Sequence, residues 1–158
     1  MSVIAIDLAM HHLLAEPEDQ VLVQAQLEAA EGAAMSFLNR RFYLNRVALD
    51  QARAGVPAAM QAAKEVNASA VAAAEQEQDC TLRRRLLEHA RQELADAFEQ
   101  ADTIAYGMVL NVEIQAACLL KLGHLFANRE EVVTGTTAVE LPLASQHLLM
   151  PYRIRMGV

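Results

Sequence analysis

A chain of 158 residues suits a single core and is too short for several. Its formal charge of −7 excludes a globally basic nucleic-acid binder, because neutralising phosphates takes Lys and Arg. Apolar residues make up 54% but aromatics only 4%, and ten Gly and Pro are too few for an all-β fold, so the composition predicts alanine-rich helices around a light core.

The opening stretch, MSVIAIDLAM, carries no basic segment and an early Asp7, which does not suit a signal peptide. Residues 6–15, IDLAMHHLLA, read as a short helix with Asp7 as its N-cap and Leu8, His11 or His12, and Ala15 on one face. Pro17, within the acidic EPED, breaks it. A second helix is expected over 19–39. Val23, Leu27, Ala30, Ala34 and Phe37 step by four and three along it as one apolar stripe, widened by Leu22, Ala29 and Ala33. Asn39 and the RRFYL that follows end it.

Residues 46–105 change character. Gly55 and Pro57 suit a helix start, with a small stripe at Met60, Ala63, Ala70 and Ala74. Leu82, Leu86, Ala90, Leu94, Ala97, Ala101 and Ile104 then form a fuller stripe, and Glu88 and Arg91 are spaced to pair. A single helix over 57–105 would run roughly 70 Å, too long for a small domain to cover. A helical hairpin with its tip near 77–81 is therefore expected. Asn111 can cap a central helix over 112–130, with Ile114, Cys118, Leu122 and Leu125 on one face and Ala117 and Leu119 beside it. Gly123 inside that helix suggests the close approach of another backbone. TGTT reads as a loop, and Pro142 opens a short helix over 142–149 that Pro151 stops.

Little of this offers chemistry. The five histidines lack the Glu-x-x-His and His-Glu-x-x-His spacings of metal sites. Cys80 and Cys118 lie in different helices, without metal spacing, and fit a reducing compartment. Phosphate-loop and nucleophile-elbow motifs are missing. No apolar run is long enough to span a bilayer. Arg83, Arg84 and Arg85 fan around a helix among flanking acids and read as a solvated face. Arg40 and Arg41, beside Phe42 and Tyr43 at a helix end, suit a helix C-terminus or a subunit contact. Arg129 can fork onto a carboxylate, within the chain or between chains.

Three stretches, in order, resemble the head–tail connector proteins of tailed bacteriophages and prophages, also called adaptor or head-completion proteins. The first is IAIDLAMHHLLAEPEDQVLVQAQLEAAEGAAMSFLNRRFY, a short helix, an acidic turn and a long helix ending in Asn39-Arg40. The second is IQAACLLKLGHLFANREEVVTG, with Asn128, Arg129 and Glu130. The third is ELPLASQHLLMPYRI, with Leu141, Pro142, Leu148, Leu149, Pro151, Tyr152 and Arg153. The likeness covers about 1–45 and 106–155, leaving 46–105 as an apparent helical insertion into a single connector domain.

The resemblance implies an all-α, bundle-like subunit that is not an enzyme and takes no cofactor or metal. It implies a homo-oligomeric ring of about a dozen copies, closed by a heterologous interface. That ring would sit beneath the portal protein at the head–tail junction of the virion, after assembly in the host cytoplasm. It would extend the channel through which DNA passes without sequence preference, and receive a tail-side stopper or head-closure protein. No membrane is involved. On this reading residues 132–158 are a docking segment. Arg40, Arg41, Arg129, Glu130, Leu141, Pro142, Leu148, Leu149, Pro151, Tyr152 and Arg153 are the subunit or portal interface. Leu148, Leu149, Met150 and Tyr152 serve there as apolar anchors and Arg153 as the polar one. The competing readings are an enzyme or metal-binding helical bundle, for which the sequence provides no ligand set, and a regulator that dimerises through its helices.

Overall fold

The structure, a computed structural model, describes residues 2–128 and 144–154. It is all-α, with six helices and one two-residue strand pair among the described residues. The chain divides into two compact units, Met1–Arg46 with Met108–Val158, and Val47–Gly107. The expected insertion, 46–105, ends within two residues of the second unit at either side.

The first unit is built on two helices, α2 (Gln20–Leu38) and α5 (Val112–Ala127). Val23, Leu27, Ala30 and Ala34 of α2 are buried, as the stripe predicts, and Leu38 joins them in place of the half-buried Phe37. From α5 come Ile114, Ala117, Cys118, Leu119 and Leu122. Each large aliphatic side chain taken fully from water contributes about 1.5–3 kcal/mol. Asn111 caps α5 as expected, its Oδ1 accepting the Ile114 N–H at 2.9 Å. The helix ends at Ala127, three residues short of the expected 130.

Helix α1 (Ile6–Leu13) differs from its sequence reading in phase. It begins at Ile6, so Asp7 lies in the first turn, where its charge favours the helix dipole, and Ala5 is the cap residue without a side-chain bond. The inward face is therefore Ile6, Ala9, Met10 and Leu13, while Leu8, His11 and His12 are exposed. Gly123 does not mark a forced backbone approach. A Cβ built there would meet the His12 Nε2 at 3.8 Å and Leu13 Cδ2 at 4.0 Å, ordinary contacts. Gly123→Ala is accordingly expected to stabilise the protein by about 0.5–1 kcal/mol, by helix propensity. A lower denaturation midpoint would show that α1 cannot yield the space.

After α2, Asn39 turns the chain through a left-handed conformation (φ 56°) that Asn tolerates. Strand β1 (Phe42–Tyr43) pairs in parallel with β2 (Met108–Val109), Phe42 opposite Met108 and Tyr43 opposite Val109. Parallel neighbours cannot be joined by a tight turn and need a crossover. The second unit is that crossover.

It is a helical hairpin, α3 (Arg46–Glu75) and α4 (Cys80–Ala105), turning over 76–79, and not one long helix. Asp79 caps α4 by accepting from the N–H groups of Thr81 (2.7 Å) and Leu82 (3.2 Å). Pro57 does not start α3 but lies inside it, eleven residues after Arg46. An interior proline costs about 3 kcal/mol, since it cannot bond the carbonyl four residues back. The turns ahead of it are held by other means. Leu49 and Val56 are buried, and the Arg53 guanidinium donates to the carbonyls of Ala105 (3.0 Å) and Gly107 (2.9 Å). Ala74 is buried and Met60, Ala63 and Ala70 are half-buried, as the stripe predicts, and Asn67 bridges to the Ala90 carbonyl at 2.7 Å. The inward face of α4 is turned by one residue in its first half: Leu87 is half-buried, whereas Leu82 and Leu86 are exposed. Glu88 and Arg91 show no pairing among the described residues, and His89 Nδ1 instead lies 3.4 Å from Glu93 Oε1.

Candidate interaction surface

Two terminal segments complete the first unit. At the N-terminus, Glu31 is the one buried charged residue among the described ones, 3% exposed. Its carboxylate accepts from Ser2 Oγ (2.7 Å), from the Val3 N–H (3.0 and 3.1 Å to the two oxygens) and from the Ile4 N–H (2.8 Å). Ile4 is itself in the core, so a non-helical segment is held by one apolar side chain and one carboxylate. Burial pushes the Cys118 thiol up to about 12, and the charge on Glu31 adds to the effect. Cys118 is thus an inert core side chain, as its apolar face predicts.

At the C-terminus, α6 (Ala144–Leu149) runs into a 3₁₀ turn, Met150–Tyr152. Here the expectation of free anchors is corrected. Leu149 is 5% exposed, and Leu148 and Tyr152 pack against the same core. The Ile154 N–H donates to the Leu38 carbonyl at 3.2 Å, and Asn39 Nδ2 to the Ile154 carbonyl at 3.0 Å. The guanidinium of Arg153 stacks over the Phe37 ring at 4.8 Å. The physical reason lies in α2 and α5. Where they face α6 they present Ala30, Ala34 and Ala117, small side chains that leave a furrow which Leu149 enters. Met150 (47% exposed) and Pro151 remain outward.

Of the other expected interface residues, Arg40 is half-buried and its Nη1 donates to the Tyr152 carbonyl at 3.3 Å, a fold-fixing contact. Arg41 is exposed, and its carbonyl accepts from the Met108 N–H at 2.9 Å. Arg129, Glu130, Leu141 and Pro142 lie outside the described residues. The structure therefore gathers Arg40, Tyr152 and Arg153 at the end of α2, packs Leu148 and Leu149 against the core, and leaves Arg41 and Pro151 at the surface.

The described residues do not fill the furrow. A half-open cleft of ≈ 160 Å³ remains among α2, α5 and α6, floored by alanines, Phe37 and Leu149, with Lys121, Ser145 and Gln146 on its rim. Sequence reasoning missed both this cleft and the role of Glu31. The signal for Glu31 was present: an acid four residues after Leu27 and three before Ala34, on the edge of an apolar stripe. Among the described residues, no three His, Cys, Asp or Glu side chains converge as metal ligands, and no helix is long and apolar enough to cross a membrane. No protein-family model, curated protein or solved structure matches the chain.

Proposed function

We propose that this chain is a structural subunit of a phage head–tail connector: one copy of a ring that sits beneath the portal, extends its DNA channel and receives the tail-side protein. One observation carries the reading. The stretches that resemble the connector family, about 1–45 and 106–155, fall in one compact unit, and the departing stretch forms its own helical hairpin on a parallel crossover. An insertion accommodated in this way leaves the connector body continuous. The acidic balance suits a channel wall, which must let DNA slide without gripping it. With Leu149 and Tyr152 packed in their own subunit, contacts to neighbours fall to other exposed groups, Arg41, Met150 and Pro151 among them.

The test is to replace residues 47–107 by a Gly/Ser linker of about a dozen residues, the length a parallel crossover needs. The shortened protein is expected to fold cooperatively and to bind the portal ring encoded by the same genome as the full chain does. Global unfolding would make the hairpin part of the core. A folded variant and a full chain that both ignore portal would end the connector reading.

A further inference from the structure

The corner between α1 and α2 is built against the interests of its own fold. Leu14 ends α1 in the left-handed conformation (φ 51°), a position that glycine takes freely and a leucine does not. Its side chain is 84% exposed, so it gives the subunit almost no burial in return. Val21, also 84% exposed, follows on the first turn of α2, and between them stand the exposed Glu16 and Glu18. The corner is thus an apolar projection in an acidic collar.

The cleft among α2, α5 and α6 has the complementary character. Its floor is Ala30, Ala34, Ala117, Phe37 and Leu149, and its exposed cation is Lys121. A space of about 150 Å³ takes a benzene-sized apolar group, so ≈ 160 Å³ has room for one branched side chain. The side chains of Lys121, Glu16 and Glu18 have no hydrogen-bond or ion-pair partner among the described residues. A chain cannot fill its own cleft with its own Leu14. The corner precedes α2, and the cleft starts at Ala30, ten residues and about 15 Å along that helix.

We infer that Leu14 of one copy inserts into the α2–α5–α6 cleft of the next, with Glu16 and Glu18 set against Lys121. Projection and cleft are different patches of one subunit, so the contact is heterologous and propagates from copy to copy, as a ring requires. This inference rests on the ring reading and names its interface.

Three variants test it, in size measurements by analytical ultracentrifugation with thermal melts alongside. Leu14→Gly removes the projection and relaxes the backbone. It is expected to melt at a higher temperature than wild type and to need at least about tenfold more protein to associate. Ala33→Trp, on an exposed position of the cleft wall, blocks the receptor and should associate as poorly. Mixed, these two variants retain one intact projection and one intact cleft, and should stop at a heterodimer. Lys121→Glu should weaken assembly, and pairing it with Glu16→Lys and Glu18→Lys should restore it. Wild-type oligomers that survive Leu14→Gly and Ala33→Trp unchanged would overturn this interface while leaving the ring intact. A wild type that stays monomeric alone and beside portal would overturn the ring reading and the interface with it.

Discussion

Cutting the chain after Glu140 is expected to unfold much of the first unit. The loss of Leu149 alone removes a buried leucine, worth about 2–4 kcal/mol with the cavity it leaves. Leu148 and Tyr152 go with it, as do the backbone bond from Ile154 to Leu38 and the Asn39 bond that fixes the left-handed end of α2. Set against a usual total of about 5–15 kcal/mol, this sum leaves little. On sequence grounds the tail is a docking segment, and its removal should spare the helices. Its packing reverses that expectation. Urea titration followed by far-UV circular dichroism separates the two: an unchanged midpoint would mean that the tail is dispensable to the fold. The point variant Leu149→Ala should give a smaller shift in the same direction, and Met150→Ala, at an exposed position, almost none.

Glu31→Ala carries the second large effect, a loss of about 2–4 kcal/mol. The carboxylate satisfies two backbone N–H groups and a hydroxyl, and bonds to a charged acceptor are worth about 1.5–3 kcal/mol. Without it the buried Ile4 N–H has no acceptor, and the N-terminal segment should release Ile4 from the core. Hydrogen exchange at Val3 and Ile4 should then rise toward the rate of unstructured chain. Ser36→Ala, at an exposed position of the same helix, serves as the control and should leave those amides protected. Continued protection of Val3 and Ile4 in Glu31→Ala would place the hold on the segment in apolar packing alone.

Periodicity made the helices legible. The stripe of α2, the cap at Asn111 and the face of α5 follow from spacing, because those helices bury one side against each other. The hairpin was readable from a length argument, since one helix over 57–105 had nowhere to lie. What spacing could not supply was phase where side chains are small or helices short. α1 has two turns, too few for its stripe to outvote an Asp that resembles a cap. Pro57 marked a start that tertiary contacts at Leu49, Arg53 and Val56 moved eleven residues upstream. The tail misled for a related reason. An apolar run after a complete bundle looks surplus until one sees that alanines at 30, 34 and 117 leave a furrow that needs filling. The cleft depends on contacts between elements far apart in sequence, which no local pattern encodes; for Glu31 the place on the stripe's edge was legible and only its partners, Ser2 to Ile4, were not.

On the proposed reading the molecule is a building unit whose work is done by surfaces. Native mass spectrometry of the full chain, alone and with the portal ring from the same genome, asks the question most directly. The expected spectrum shows a closed set of about a dozen copies seated on one portal ring, a heterologous contact repeated until it meets itself. A chain that ignores portal and stops at a monomer, or at a symmetric dimer, would contradict it.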